Sequence, residues 1–392
     1  MGDAFVKINV GNAFVILYFV SVVALGVAGC GGAPSGSISG AGGGPSGPSA
    51  GEYLWEFSLT NDNLFFSTVD SGTGQLGAPT MSQGIACNSL GTIPSIAVTP
   101  SRKFAFVIDN CLAGIHVYSM NGPGISLAEI VGSPYFSPTA LDSISVDPSG
   151  KFLYAIGSPG TVYQFAVNGN TGELSLLSTT VEAADLRQVV ADPNGKFIFV
   201  NDLTGGRVFG FLVGGGASLS PVPGSPFIVP ANGQPVNLVM EGGGTFLYSP
   251  LISGGIAGFA INTSTGALSD MPGSPFPTSG QPFTLATDPS WKFLYSIGGS
   301  LNSSIEGFSI DANTGTLAAI TGSPFSTPSS LNSLAVDPSG HFLYATVQAM
   351  TLADSNILGF AINTSNGSLS ELATSPYSAP PFPVNVVSLH IP

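Results

Sequence analysis

Arg187 and Asp142 are the side chains of this chain best suited to chemistry. A guanidinium offers a planar fork of donors to a carboxylate or a developing oxyanion, and a carboxylate beside it serves as acid, base or charge partner. Asp185 stands two positions before Arg187, and Asp202 and Arg207 follow it. Charge is scarce elsewhere, with 8 Lys and Arg and 22 Asp and Glu in 392 residues. Arg187 and Asp142 are therefore the candidate catalytic residues, and Asp185, Asp202 and Arg207 the candidate ligand contacts. The competing reading is a set of solvated loop charges and exposed ion pairs, which contribute little. Glu182, Asp109 and Asp354 are outliers from the cluster.

The elements that position these residues are set by a repeat. The stretch DPSGKFLY from Asp147 returns as DPNGKFIF from Asp192, DPSWKFLY from Asp288 and DPSGHFLY from Asp337. Altered copies begin at Thr99 (TPSRKFAF) and Glu241 (EGGGTFLY), so the six copies are spaced 48, 45, 49, 47 and 49 residues apart. A period of this size marks a solenoid or a propeller.

One unit, Leu141 to Leu177, reads as four strands. Ser143 to Val146 is short and apolar and enters Asp147-Pro148-Ser149-Gly150. There Pro presets φ, Asp caps the turn and Gly takes a positive φ. Phe152 to Ile156 alternates its side chains between two faces. Val162 to Val167 leads into the turn Asn168-Gly169-Asn170-Thr171-Gly172, and a fourth strand begins at Leu174. The second turn recurs from Asn262, Asp311 and Asn363, and Gly-Ser-Pro-Phe or a variant follows the fourth strand at Gly132, Gly224, Gly273, Gly322 and Thr374. Both faces of each unit are apolar, as in sheets stacked radially against two neighbours.

Six units run from Pro94 to Ser378, and the ends supply a seventh. Residues 53–59 read as a second strand, 64–70 as a third and the residues near Leu76 as the start of a fourth, while Val384 to Ile391 reads as a first strand. The expectation is an all-β, seven-bladed β-propeller of four-stranded antiparallel blades over residues 52–392, its ring closed by a blade shared between the N- and C-termini. Strand parity puts the two repeated turns on one face and the variable loops on the other. Asp142 and Arg187 then begin innermost strands in consecutive blades, and they are expected to pair near the mouth of the central channel. The repeated aspartates belong to the opposite face and are explained by their turns, so no calcium ring is expected.

Residues 1–29 read as a secretory signal. Lys7 precedes a run of 16 apolar residues, Ala13 to Ala28, which is short of the roughly 20 needed to span a bilayer. The run ends in Val27-Ala28-Gly29-Cys30, which resembles the lipobox of bacterial lipoproteins, in which the cysteine is acylated. Residues 30–51 would then be the acylated cysteine and a Gly/Ser/Pro linker, a flexible coil spanning roughly 25 Å. Gly31 rather than Asp follows Cys30, and the resemblance implies an outer-membrane lipoprotein of the cell envelope, periplasmic or surface-facing, with the membrane as its partner through the lipid.

With "DPSGKFLYA…VYQFAVNGNTGELSLL" as its unit, the region 52–392 resembles the lactonase family of seven-bladed propellers, which includes 6-phosphogluconolactonase-like enzymes. The resemblance implies hydrolysis of a sugar lactone and a Pro-Arg-His run where a loop enters an innermost strand. The aligned positions here are Pro235-Val236-Asn237, Pro282-Phe283-Thr284, Leu331-Asn332-Ser333 and Arg187-Gln188. Only the last keeps the arginine, and Gln replaces the imidazole that would act as general base. His116, His341 and His390 fall on a third strand, a turn and the closing strand and read as structural.

The functional expectation is a binding or interaction module, with an unknown small molecule or protein on the variable face; the alternative is a lactone hydrolase. The formal charge of −14 leaves no basic stripe for nucleic acid. Cys87 and Cys111 both fall on the variable face. In an oxidising envelope they form a disulfide, with two free thiols as the alternative if their Cα atoms lie beyond about 7 Å. No Cys-x-x-Cys or His-rich spacing suggests a metal, and no cofactor is expected.

Overall fold

The computed structural model describes residues 51–391, apart from segments 59–62, 85–94, 110–113, 122–125, 137–139, 158, 183–184, 215–217, 299–302, 350–353 and 381–382. The described residues form seven antiparallel sheets of four main strands arranged as blades in a ring. Blade 3 shows the unit, with Leu141–Val146 innermost, then Phe152–Gly157, Thr161–Val167 and, outermost, Leu174–Val181. Blade 1 is composite: Gly51–Ser58, Asn63–Val69 and Thr80–Gly84 come from the N-terminal side, and Pro383–Ile391 supplies the innermost strand. Its fourth strand starts at Thr80 rather than near Leu76, which makes only an isolated bridge to Val69.

Seven buried apolar clusters fill the seven joints between blades. Tyr154, Ile156 and Val162 of blade 3, for example, pack against Leu186, Val189, Ile198 and Val200 of blade 4. The other joints are filled in the same way, including the one between blade 7 and composite blade 1. The hydrophobic effect thus acts between sheets, which is why both faces of every blade are apolar.

The repeated turns do two jobs. Asp147 Oδ1 accepts from the backbone N–H groups of Lys151 and Phe152, both at 2.8 Å, and Oδ2 accepts from that of Ser149 at 3.0 Å. Asp288 repeats this pattern, and Asp337 keeps the bonds from Ser339 and Phe342 while also meeting Glu52 of blade 1. In the second turn, Gly172 has φ +78° and lies under the Phe104 ring of the preceding blade, so that an added Cβ would meet Phe104 Cδ1 at 2.6 Å. The aromatic of one blade's repeat therefore docks on the next blade's turn, which puts both turns on one face.

Gly-Ser-Pro does not follow the fourth strand but divides it. In blade 6, Leu317–Ala319 pairs with the end of Ser304–Ile310 and Phe325–Ser326 pairs with its start. Between the two pieces, Ser323 Oγ accepts from Gly307 N–H at 3.0 Å. Ser133, Ser225, Ser274 and Ser375 do the same in blades 2, 4, 5 and 7. Phe276 and Tyr377 then cover Gly258 and Gly359, where a Cβ would meet the rings at 2.8 and 2.7 Å.

Candidate functional site

The innermost strands of blades 3, 4 and 7 begin with a bulge. Leu186 pairs with Asp202 and Gln188 with Asn201, leaving Arg187 as the extra residue. Asp142 is extra in the same way between Leu141 and Ser143, and Asn332 between Leu331 and Ser333. A bulge releases one side chain from the alternation of its strand and re-aims it, a common device beside binding sites.

Arg187 is held by its neighbour. Its Nη2 lies 2.8 Å from Asp185 Oδ1 and donates to Oδ2 at 3.1 Å, with both side chains about three-quarters buried. Asp185 is itself fixed through its backbone: its N–H donates to Asp202 Oδ1 at 3.1 Å, and its carbonyl accepts from Leu203 N–H at 2.9 Å. Asp202 is buried and also accepts from Gly205 N–H at 3.1 Å and from Arg207 Nε at 2.7 Å. The Arg207 guanidinium stands 5.0 Å over the Phe209 ring. Asp202 therefore ties the loop between blades to the loop within blade 4, and through Asp185 it sets the position of Arg187.

Asp142 completes this group from the adjacent blade. Burial raises its carboxyl pKa to about 6; Arg187 opposes the rise and Asp185 adds to it. A carboxylate in the field of two opposite charges and a low-dielectric wall exchanges its proton near neutrality. Glu182, an outlier in the sequence, is also raised by burial and pulled down by Arg207, which brings it to the margin of the group.

The position after the bulge carries a second feature, which the sequence reading missed. Ser95, Ser143, Gln188, Asn237, Thr284 and Ser333 occupy it in blades 2 to 7 and are all buried. Ser95 Oγ accepts from Ile144 N–H at 3.2 Å, Ser143 Oγ from Val189 N–H at 3.4 Å and Gln188 Oε1 from Leu238 N–H at 2.5 Å. Asn237 Nδ2 donates to the Phe283 carbonyl at 3.4 Å. Each of these bonds joins one inner strand to the next. Gln188, where the family pattern has histidine, is thus a strut between blades 4 and 5, further fixed by its own N–H to Asn201 Oδ1 at 2.8 Å. Gln188 Nε2, Asn237 Oδ1 and Thr284 Oγ1 are buried without a hydrogen bond among the described residues. The signal for this belt was present: every copy has a small or amide side chain at the aligned position.

Two of the three histidines have structural partners. His116 Nδ1 lies 2.7 Å from Glu129 Oε1, and His341 Nδ1 lies 2.9 Å from Ser339 Oγ in its turn. Among the described residues, no three His, Cys, Asp or Glu side chains are grouped to hold a metal ion. Cys30, Cys87 and Cys111 lie outside the described residues, as do the signal and all but the last residue of the linker.

The architecture is that of a seven-bladed β-propeller, a fold this chain shares with solved 6-phosphogluconolactonase-like propellers. Similar solved structures are a periplasmic gluconolactonase of Pseudomonas aeruginosa (17% identity, 88% of this chain and 100% of that chain, TM-score 0.71) and a candidate 6-phosphogluconolactonase of Bacteroides uniformis (16% identity, 86% and 99%, TM-score 0.71). The WD40 repeats of RRP9 are more distant (14% identity, 77% and 92%, TM-score 0.52). No protein-family description and no curated protein matches the sequence.

Proposed function

We propose that this protein is a lipid-anchored binding propeller of the cell envelope, taking a small sugar acid or a similar polyol at the inner-strand bulges around Arg187 and Asp142. The observation that carries this reading is the chain of contacts from Arg207 through Asp202 and Asp185 to Arg187. It presents a pre-set guanidinium beside a carboxyl that changes charge near pH 6. Pre-set donors cost little entropy on binding. The anchor rests on Val27-Ala28-Gly29-Cys30, and Cys30→Ala would release the protein from membranes if that reading is right.

The second reading is a lactone hydrolase, favoured by the likeness to a periplasmic gluconolactonase and by Asp142 as a proton-exchanging group next to Arg187. Against it, Gln188 replaces the imidazole and is engaged between blades. Calorimetric titration with gluconate, paired with a hydrolysis assay on glucono-lactone, separates the two. Binding without turnover, lost in Arg187→Ala, supports the binding module. Turnover abolished by Arg187→Ala establishes the hydrolase. Absence of both sinks the site.

A further inference from the structure

Among the described residues, blade 3 has the longest unbroken outer strand, the five-residue Thr80–Gly84 of blade 1 coming next. In blades 2, 4, 5, 6 and 7 the Ser-Pro step leaves outer pieces of two to four residues. Blade 3 has no such step. Its outer strand, Leu174–Val181, runs for eight residues, LSLLSTTV, without charge or proline. One extra residue, Leu177, shifts the register, and pairing with Thr161–Val167 continues on both sides of it. Leu176 and Val181 are 55% and 66% exposed.

The free edge also has a defined hydrogen-bonding pattern. Glu182 N–H donates inward to the Gly160 carbonyl at 2.8 Å, and Asn168 N–H donates to the Glu173 carbonyl at 2.9 Å. Antiparallel alternation then turns the backbone groups of Leu174, Leu176, Thr179 and Val181 outward. An uncharged edge with open donors and acceptors is a template for another strand.

Charge decides the occupant. The strand is flanked by Glu173 and Glu182. If two copies paired this strand with itself about a two-fold axis, Leu174 would face Val181 and Glu173 would face Glu182 at each end. Like charges directly opposite are destabilising, and the net charge of −14 adds to the repulsion. The same ends attract cations. We infer that the outer edge of blade 3 accepts, as a fifth strand, an extended segment of a partner protein with an uncharged β-branched stretch and a Lys or Arg at each end. This rim site lies on the outermost strand, whereas Arg187 and Asp142 stand on innermost strands; Glu182, which also lies in the field of Arg207, is the residue through which the two adjoin.

The test uses the full-length chain and a labelled peptide, Lys-Thr-Val-Thr-Ile-Thr-Val-Thr-Ile-Lys, whose eight central residues match the length of Leu174–Val181, with a counterpart carrying Glu at both ends. Thr179→Pro removes an outward N–H and leaves the inward bonds of the strand, a placement that edge strands tolerate. The Lys-ended peptide is expected to bind at least about tenfold tighter than the Glu-ended one, and Thr179→Pro to weaken it by about tenfold at an unchanged melting temperature. The double variant Glu173→Lys/Glu182→Lys is expected to reverse the preference, and it serves as the test if Thr179→Pro fails to fold. Equal affinity for the two peptides, no binding of the Lys-ended peptide at millimolar concentration, or no reversal by the charge swap would overturn the inference. So would a concentration-dependent dimer in sedimentation that Thr179→Pro abolishes, because the occupant would then be a second copy.

Discussion

The phenolic hydroxyl of Tyr344 donates to the carbonyl oxygen of Gly74 at 2.8 Å, across 270 residues of chain. This is the joint at which the ring closes, between blade 7 and composite blade 1. Tyr248 and Gly315, at 2.6 Å, and Tyr295 and Gly367, at 2.8 Å, form the same bond at internal joints. Closure therefore uses the contact that the repeat already carries. Tyr344→Phe is expected to reduce stability by about 1 kcal/mol in chemical denaturation, because the Gly74 carbonyl loses the shorter of its two phenolic donors and keeps Tyr377 at 3.4 Å. Amide exchange should quicken in Gly51–Ser58 and Pro383–Ile391, and unchanged exchange there would show that the bond does not secure the ring.

Gly367 tests the docking of aromatic on turn. It has φ +75°, and a Cβ there would meet Phe293 Cδ1 at 2.5 Å. Gly367→Ala should cost at least about 2 kcal/mol, from left-handed backbone strain plus overpacking. Gly169, in the equivalent turn of blade 3, has nothing within 4 Å of a built Cβ, and Gly169→Ala should lie within about 0.5 kcal/mol of the parent. Similar costs at the two sites would refute the docking account.

Glu56 makes stability depend on pH. It is fully buried in blade 1, accepts from Ser67 Oγ at 2.7 Å, and burial pushes its carboxyl up to about 8, the Ser67 bond only partly opposing this. The folded state therefore holds a proton that the unfolded chain loses at ordinary acidic pH. Its contribution is fully present below about pH 4.5 and is lost as pH rises through about 8. Glu52, raised to about 7 first by burial and then by Asp337, acts in the same direction. The melting temperature should fall between pH 5 and pH 9, and Glu56→Gln, which keeps an acceptor for Ser67, should flatten the decline. A parent protein whose melting temperature is level over that range would refute this assignment.

Asp142 gives the proposed site its own pH signature. Above about pH 6 it gains a negative charge beside Arg187, which opposes an incoming carboxylate. Gluconate affinity is expected to fall from pH 5 to pH 7.5 in the parent and to be level in Asp142→Asn. An equal pH slope in both proteins would remove Asp142 from the site.

Much of the fold was legible because a propeller writes the same local instruction many times. Asp147, Asp192 and Asp288 each act within a few residues of chain, so turn chemistry and spacing sufficed to number the blades. The divided outer strand was not legible. Gly-Ser-Pro ends pairing in any local reading, and only the third strand, by accepting pieces from both sides, shows that the strand resumes.

For the site, the sequence determined which residues begin inner strands, since Asp142 and Arg187 hold equivalent places in the repeat. It could not decide what each of them touches. That Asp185 grips Arg187, that Asp202 ties two loops together, and that Gln188 is a strut follow from distances between loops and blades remote in the chain. The bulges at Asp142, Arg187 and Asn332 depend on the partner strand's register, and the raised acidities of Glu56 and Asp142 depend on burial by neighbouring sheets. Repeated local chemistry is written in sequence; contacts and dielectric surroundings arise only when seven sheets close on one another.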